Sequence, residues 1–167
     1  MAQRFRLDGL SEVEAVMTGL GKSMSNAVMR RTAKKVLTPM IETARSIVEA
    51  QSSDTGDGGL AKSLAVTTKL SKRQAKEARR ESKSYSETYA GAAALPQAHL
   101  LEFGTGERFH KNGKSVGSMK AEPFMRPAWD QHKSGMADAV GGELWEEIER
   151  TIARKDRRQA KKAAAGG

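Results

Sequence analysis

Three histidines, twenty carboxylates and no cysteine bound the chemistry open to this 167-residue chain. Without cysteine there are no disulfides, no thiolate nucleophile and no cysteine-ligated zinc. His99 and Glu102 are spaced one helical turn apart, and His110 and Glu122 follow. Such side chains bind divalent metals in other settings. Here no His-Glu-x-x-His spacing occurs and no second histidine lies one turn away, so the expectation for Glu102 is a local cap or salt bridge. Asp54 and Asp57 sit in a glycine-rich stretch that lacks the alternating acids and closing glutamate of a calcium loop; a turn explains them better. Gly56, Gly58 and Gly59 are not followed by the Lys-Ser/Thr pair of a phosphate-binding loop, and no serine sits in a Gly-x-Ser-x-Gly elbow. These residues point to no catalytic, cofactor-binding or metal-binding set, and the expected function is non-enzymatic.

The elements that hold these residues can be read from periodicity. Arg4 to Leu7 alternates as a short strand before the Asp8-Gly9 turn. Ser11 and Glu14 have capping-box spacing, and Val13, Val16, Met17 and Leu20 form a helical stripe that Gly21 closes. From about Ser25 a second stripe (Met29, Val36, Met40, Ile41, Ala44, Val48) runs to Ala50, with Pro39 expected to kink the helix or restart it from Thr38. Residues 52–59 read as a loop and 60–64 as one helical turn. Ala65 to Leu70 and Tyr85 to Ala90 alternate as paired strands, separated by the charged segment 71–83. Pro96 to Phe103 reads as a short helix, and 104–121 as a loop or loose hairpin. A last helix is expected from Pro127, with the stripe Trp129, His132, Met136, Val140, Leu144, Ile148 and Ile152. The sum is α+β: a small, mainly antiparallel sheet packed with a long kinked N-terminal helix and a long C-terminal helix. Residues 1–153 form one domain on this basis, and 154–167 a basic disordered tail.

Aromatic residues make up only 5% of the chain, so the core is thin and subunit contacts are expected to cover part of the apolar surface. No apolar run approaches the ~20 residues that span a bilayer, and no signal-peptide core is present; a soluble protein without membrane partners is expected. The net charge of +9 is localised. Residues 69–83 and 154–162 each carry +5, which leaves the remainder near neutral at −1. Both segments suit a polyanion or an acidic partner, and both are equally compatible with solvated surface. Within the first, Lys72, Arg73, Lys76, Arg79 and Arg80 are candidate contacts to DNA or a partner. No aromatic residue lies among them, so such contact would be to phosphates, without sequence readout.

Four features in order carry a resemblance. Gly9-Leu10 precedes a helix. The long helix ending near Ala50 is followed by Thr55-Gly56 and by Leu60-x-x-Ser63-Leu64. Then come Leu101-Glu102-Phe103-Gly104-Thr105 and Pro123-Phe124-Met125-Arg126-Pro127-Ala128. Over residues 3–153 this resembles the tailed-bacteriophage neck and tail-component family, whose members serve in head–tail joining and tail completion. The charged segment 71–83 departs from that pattern, where a plainer strand connection belongs. The resemblance implies a structural virion protein at the head–tail junction or tail end, assembled in the host cytoplasm. It implies a hexameric ring of copies of itself that helps join the tail to the DNA-filled head. Head-closure, tail-terminator or tail-tube proteins would be its neighbours, with non-specific contact to packaged DNA. It supplies no catalytic residues. Glu102, Phe103, Gly104, Thr105, Pro123, Phe124 and Pro127 would be structural, with Gly104-Thr105 setting a loop and Phe124 anchoring the last helix to the sheet. A tail-terminator or minor tail protein is the nearest alternative, and a non-sequence-specific nucleic-acid-binding protein the rival from another class.

Overall fold

The computed structural model of the chain describes residues 10–51, 59–68, 88–92, 95 and 98–165. Along these run α1 (Leu10–Leu20), α2 (Lys22–Ala50), α3 (Gly59–Ser63), β1 (Leu64–Thr67), β2 (Tyr89–Ala92), α4 (Ala98–Phe103), β3 (Thr105–Phe109), β4 (Ser115–Met119), α5 (Met125–His132) and α6 (Met136–Ala165). The class is α+β. The strands form two separate antiparallel pairs, β1 with β2 and β3 with β4, where one small sheet was expected. β3 and β4 pair locally, across a tight turn in which Gly113 donates to the His110 carbonyl and His110 to that of Lys114. A hairpin closed this way satisfies its inner backbone groups without joining another sheet. The expected strand at 4–7, the loop at 52–58 and the charged segment 71–83 lie outside the described residues.

By packing, the described residues divide into two compact units, those within 10–36 and 135–165 together with Thr88 forming one, and 37–51, 59–68, 89–92, 95 and 98–134 the other. In the first, Leu20, Val28 and Ile148 are buried, with Val13, Val16, Met17, Met24 and Leu144 packed around them. Spacings of three and four put each helix's contributions on one face. Gly21 has φ +80° and donates to the Thr18 carbonyl, while its own carbonyl accepts the Ser25 N–H. One glycine thus ends α1 in the left-handed region and starts α2, three residues earlier than the periodicity suggested. Ser11 falls inside α1, not at its cap.

The second unit buries Met40, Ile41, Ala44 and Val48 of α2 together with Leu60, Ala61, Leu64, Phe124 and Ala128. Arg45 ties α2 to the start of β1, donating from Nε to the Ala61 carbonyl (3.2 Å) and from Nη2 to that of Leu64 (3.0 Å). β1 and β2 align Leu64 with Ala92 and Thr67 with Tyr89. The helix runs unbroken through Pro39, with no restart at Thr38. The apolar residues that follow the proline are buried, and burial outweighs the one backbone bond it removes.

Three corrections concern the C-terminal part. The single last helix is two, interrupted at 133–135. Gly135, a poor helix former, leaves the first and opens the second, its carbonyl accepting the Ala139 N–H. The expected stripe, stepping by four, also drifts: each step overshoots a full turn by about 40°. The face that is buried in α6 comprises Glu147, Ile148 and Thr151, whereas Ile152 and Trp129 are exposed. The basic tail, expected to be disordered from 154, continues α6 as helix to Ala165. Alanine, lysine, arginine and glutamine dominate it, and no glycine or proline interrupts between Gly142 and Gly166.

Candidate functional site

The conspicuous polar construction lies where α4 meets the chain leading into α5. Gly104 ends α4 with φ +70°, and a Cβ there would stand 2.8 Å from both the Ala121 nitrogen and the Met119 carbonyl oxygen. Only glycine permits that backbone and that approach. The Thr105 hydroxyl accepts the Met119 N–H at 3.0 Å, and the Leu101 carbonyl accepts the Glu122 N–H at 2.9 Å. These bonds lay residues 119–122 beside 101–105 and deliver the next residues to Glu102. There Oε2 accepts the N–H groups of Phe124 and Met125, each at 2.9 Å, and Oε1 that of Arg126 at 3.0 Å.

A helix start leaves its first N–H groups without acceptors. At α5 the carboxylate takes three, and Pro127 has no N–H to satisfy. Phe124 provides no side-chain cap of its own. Glu102 therefore does cap a helix, but one that begins 22 residues later in the chain, not locally as expected. Its charge also faces the positive end of the α5 dipole. The two phenylalanines part company: Phe124 is buried and Phe103 is 68% exposed. Phe124 is the N-cap residue of the short helix α5.

Both Glu102 oxygens thus accept from the backbone, Oε2 twice and Oε1 once. His99 and His110 are exposed. Among the described residues no cluster of three or more His, Asp or Glu can hold a metal, and no helix is long and apolar enough to cross a membrane. Asp54, Asp57, Lys72, Arg73, Lys76, Arg79 and Arg80 lie outside the described residues.

A second polar cluster, in the first unit, was missed. Glu147 is 3% exposed. Its Oε2 accepts from Arg31 Nε at 2.6 Å, while Oε1 faces Lys35 (3.2 Å) and Arg150 (3.3 Å). Arg31 also donates to the Thr151 hydroxyl at 2.8 Å, and Lys35 pairs with Glu143 at 2.8 Å. Matching Arg31 with Glu147 and Lys35 with Glu143 makes α2 and α6 antiparallel here. The signal was present in sequence as two pairs of opposite charge, each spaced by four. Burial alone would raise the Glu147 pKa, yet hydrogen bonds from Arg31 and Lys35 outweigh it and hold the carboxyl below its ordinary value. The bond to Glu143 is the main cause that raises Lys35.

Two outcomes follow. Glu102→Ala orphans three N–H groups and should lower stability by about 2 kcal/mol, with Glu102→Gln, which keeps an acceptor oxygen, costing about half as much; urea unfolding of both variants reads the difference, and equal losses would contradict capping by the carboxylate. Because Glu147 has a lower pKa folded than unfolded, its contribution is complete above about pH 4.3 and lost as pH falls through the depressed folded value. Lys35 contributes below about pH 10.4 and loses its share as pH rises through its raised folded value. Glu147→Gln should therefore cost about 1 kcal/mol at neutral pH, discounted because its partners are half in solvent. Thermal melts should show the gap to wild type closing in acid, and a gap that persists there would contradict this linkage.

Comparison with known proteins comes down to one finding. The family model described as "Bacteriophage HK97-gp10, putative tail-component" matches residues 10–104, more than half of the 167-residue chain. The match takes in α1 through the Glu102-Phe103-Gly104 turn and ends before the Pro123–Ala128 segment that this turn holds. Neither curated proteins nor solved structures give a match. The chain belongs to the HK97-gp10-like family of bacteriophage tail components.

Proposed function

We propose that this tail component is a non-enzymatic ring protein of the head–tail junction, acting in neck assembly or tail completion and helping to join the tail to the DNA-filled head. Membership of the tail-component family carries this reading. The Glu102 site supports it, because both carboxylate oxygens accept backbone N–H groups and hold a helix start. Unburied apolar surface supports it as well: Phe103, Phe109, Val116 and Trp129, all within the second unit, are exposed in the single subunit. A hexameric ring of identical copies would cover such surface through a heterologous interface that closes. The β3–β4 hairpin, with exposed Phe109 and Val116, is suited to ordering against a neighbouring ring.

Sedimentation and negative-stain imaging of the full chain, alone and mixed with assembled heads or tails, test this. A closed ring, or a stable complex on heads or tail ends, is the expected result, and the side captured separates a neck protein from a tail terminator. A monomer indifferent to both would overturn the proposal. Charge reversal at Arg73, Lys76, Arg79 and Arg80 should impair joining and leave the fold intact if that segment faces DNA or an acidic neighbour. Unchanged yields of joined particles would remove the segment from the mechanism.

A further inference from the structure

The face of α6 that packs against α2 changes character along its length. At Leu144 and Ile148 it is apolar, and at Glu147 it is paired with Arg31. About two to four turns later the same face presents Arg154, Lys155, Arg158 and Lys162, which line a cleft of about 400 Å³ with the first turns of α2. Steps of three and four keep these cations on one side of the helix. Arg157 and Lys161, the other bases of the segment, do not line the cleft.

No carboxylate lines the cleft. Arg31 at its floor is already neutralised by Glu147, and none of the four α6 cations is held in an ion pair among the described residues. Neutral hydrogen-bonding side chains, Ser23, Thr151 and Gln159, complete the wall. The first turn of α2 adds the positive end of a helix dipole. Had these charges served solubility alone, they would not converge on the face that the fold turns toward α2.

We propose that this α2–α6 cleft is a binding groove for the phosphate backbone of duplex DNA, independent of base sequence. Cations together with hydroxyl and amide groups are the set that contacts phosphate and sugar. The cleft has no aromatic residue for stacking, and Met24 is its one large apolar side chain. A protein interface of this size would be built around apolar or aromatic anchors, so an acidic protein is the poorer fit. The groove belongs to a single subunit and functions whether or not a ring forms. Of the two basic segments in the sequence it places phosphate contact on the one at 154–162, whereas the candidate contacts singled out from sequence were at 72–80.

Fluorescence anisotropy of a short random-sequence DNA duplex, titrated with the full chain across a range of salt, tests the groove. Each cation–phosphate contact contributes about 0.9 to the slope of log K against log salt. The variant R154Q/R158Q/K162Q should bind more than about tenfold more weakly near 0.1 M salt, with the slope reduced by about 2.7. R157Q/K161Q, at positions that do not line the cleft, should keep the wild-type slope. Circular dichroism of both variants confirms that α6 persists. Equal loss per charge in the two variants, or a triple variant with an unchanged slope, would overturn the groove. Displacement of the duplex by polyglutamate at matched charge concentration would overturn it in favour of an acidic protein partner.

Discussion

Three N–H groups at the start of α5 have one acceptor among them, the carboxylate of Glu102. The surrounding elements are short: six residues in α4, five in each strand of the hairpin, eight in α5. Few of their side chains are buried, and helices of this length do not persist on propensity. Directed bonds therefore decide the local geometry. Gly104 brings two backbones close enough for a Cβ to clash, Thr105 and Leu101 register the returning strand, and Glu102 closes the circuit. Replace any one, and the next loses its position. The two sequence motifs, Leu101–Thr105 and Pro123–Ala128, are thus one physical object, a carboxylate and the helix start that it caps.

The first unit is organised by a different constraint. Its apolar cluster is small, and a carboxylate that is almost wholly buried sits beside it. Burying Glu147 unpaired would be costly, so its partners must arrive with it. Arg31, Lys35 and Arg150 do so from α2 and from α6 itself, and hydrogen bonds to Arg31 and Lys35 hold its pKa down despite burial. Such a network adds modest stability and favours this register, because sliding α6 along α2 by one turn leaves one cation–carboxylate match across the two helices in place of two.

Legibility in the sequence followed the kind of force involved. The stripe in α1, the closing Gly21, the turn of helix before β1, the pairing of β1 with β2 and the short helix α4 all rest on local periodicity or glycine chemistry, and each was readable. The interruption at 133–135 was not, because three glycines lie along that stretch and only packing selects Gly135 as the break. Glu147 was overlooked because a charged residue does not register in an apolar stripe, and the stripe itself was read with a step of four that drifts off the true face. The helical tail was read as disordered from its charge, although its residues are good helix formers. Glu102 was recognised as a polar anchor, but its partner, distant in sequence, could not be named.

These observations describe a protein whose polar groups are invested in shape. Glu102 accepts three backbone N–H groups and Glu147 faces three cations of the chain. The surface carries exposed Phe103, Phe109 and Trp129 in the second unit and converging cations in the first, on a chain that belongs to a tail-component family. The central claim, that the Glu102 carboxylate binds the two motifs into one object, is tested most directly by amide hydrogen exchange. In the wild-type chain the amides of Phe124, Met125 and Arg126 should be protected as a group, and Glu102→Ala should release all three while the amides of α1 and the first half of α2 keep their protection. Unchanged protection of the three amides in that variant would contradict the account.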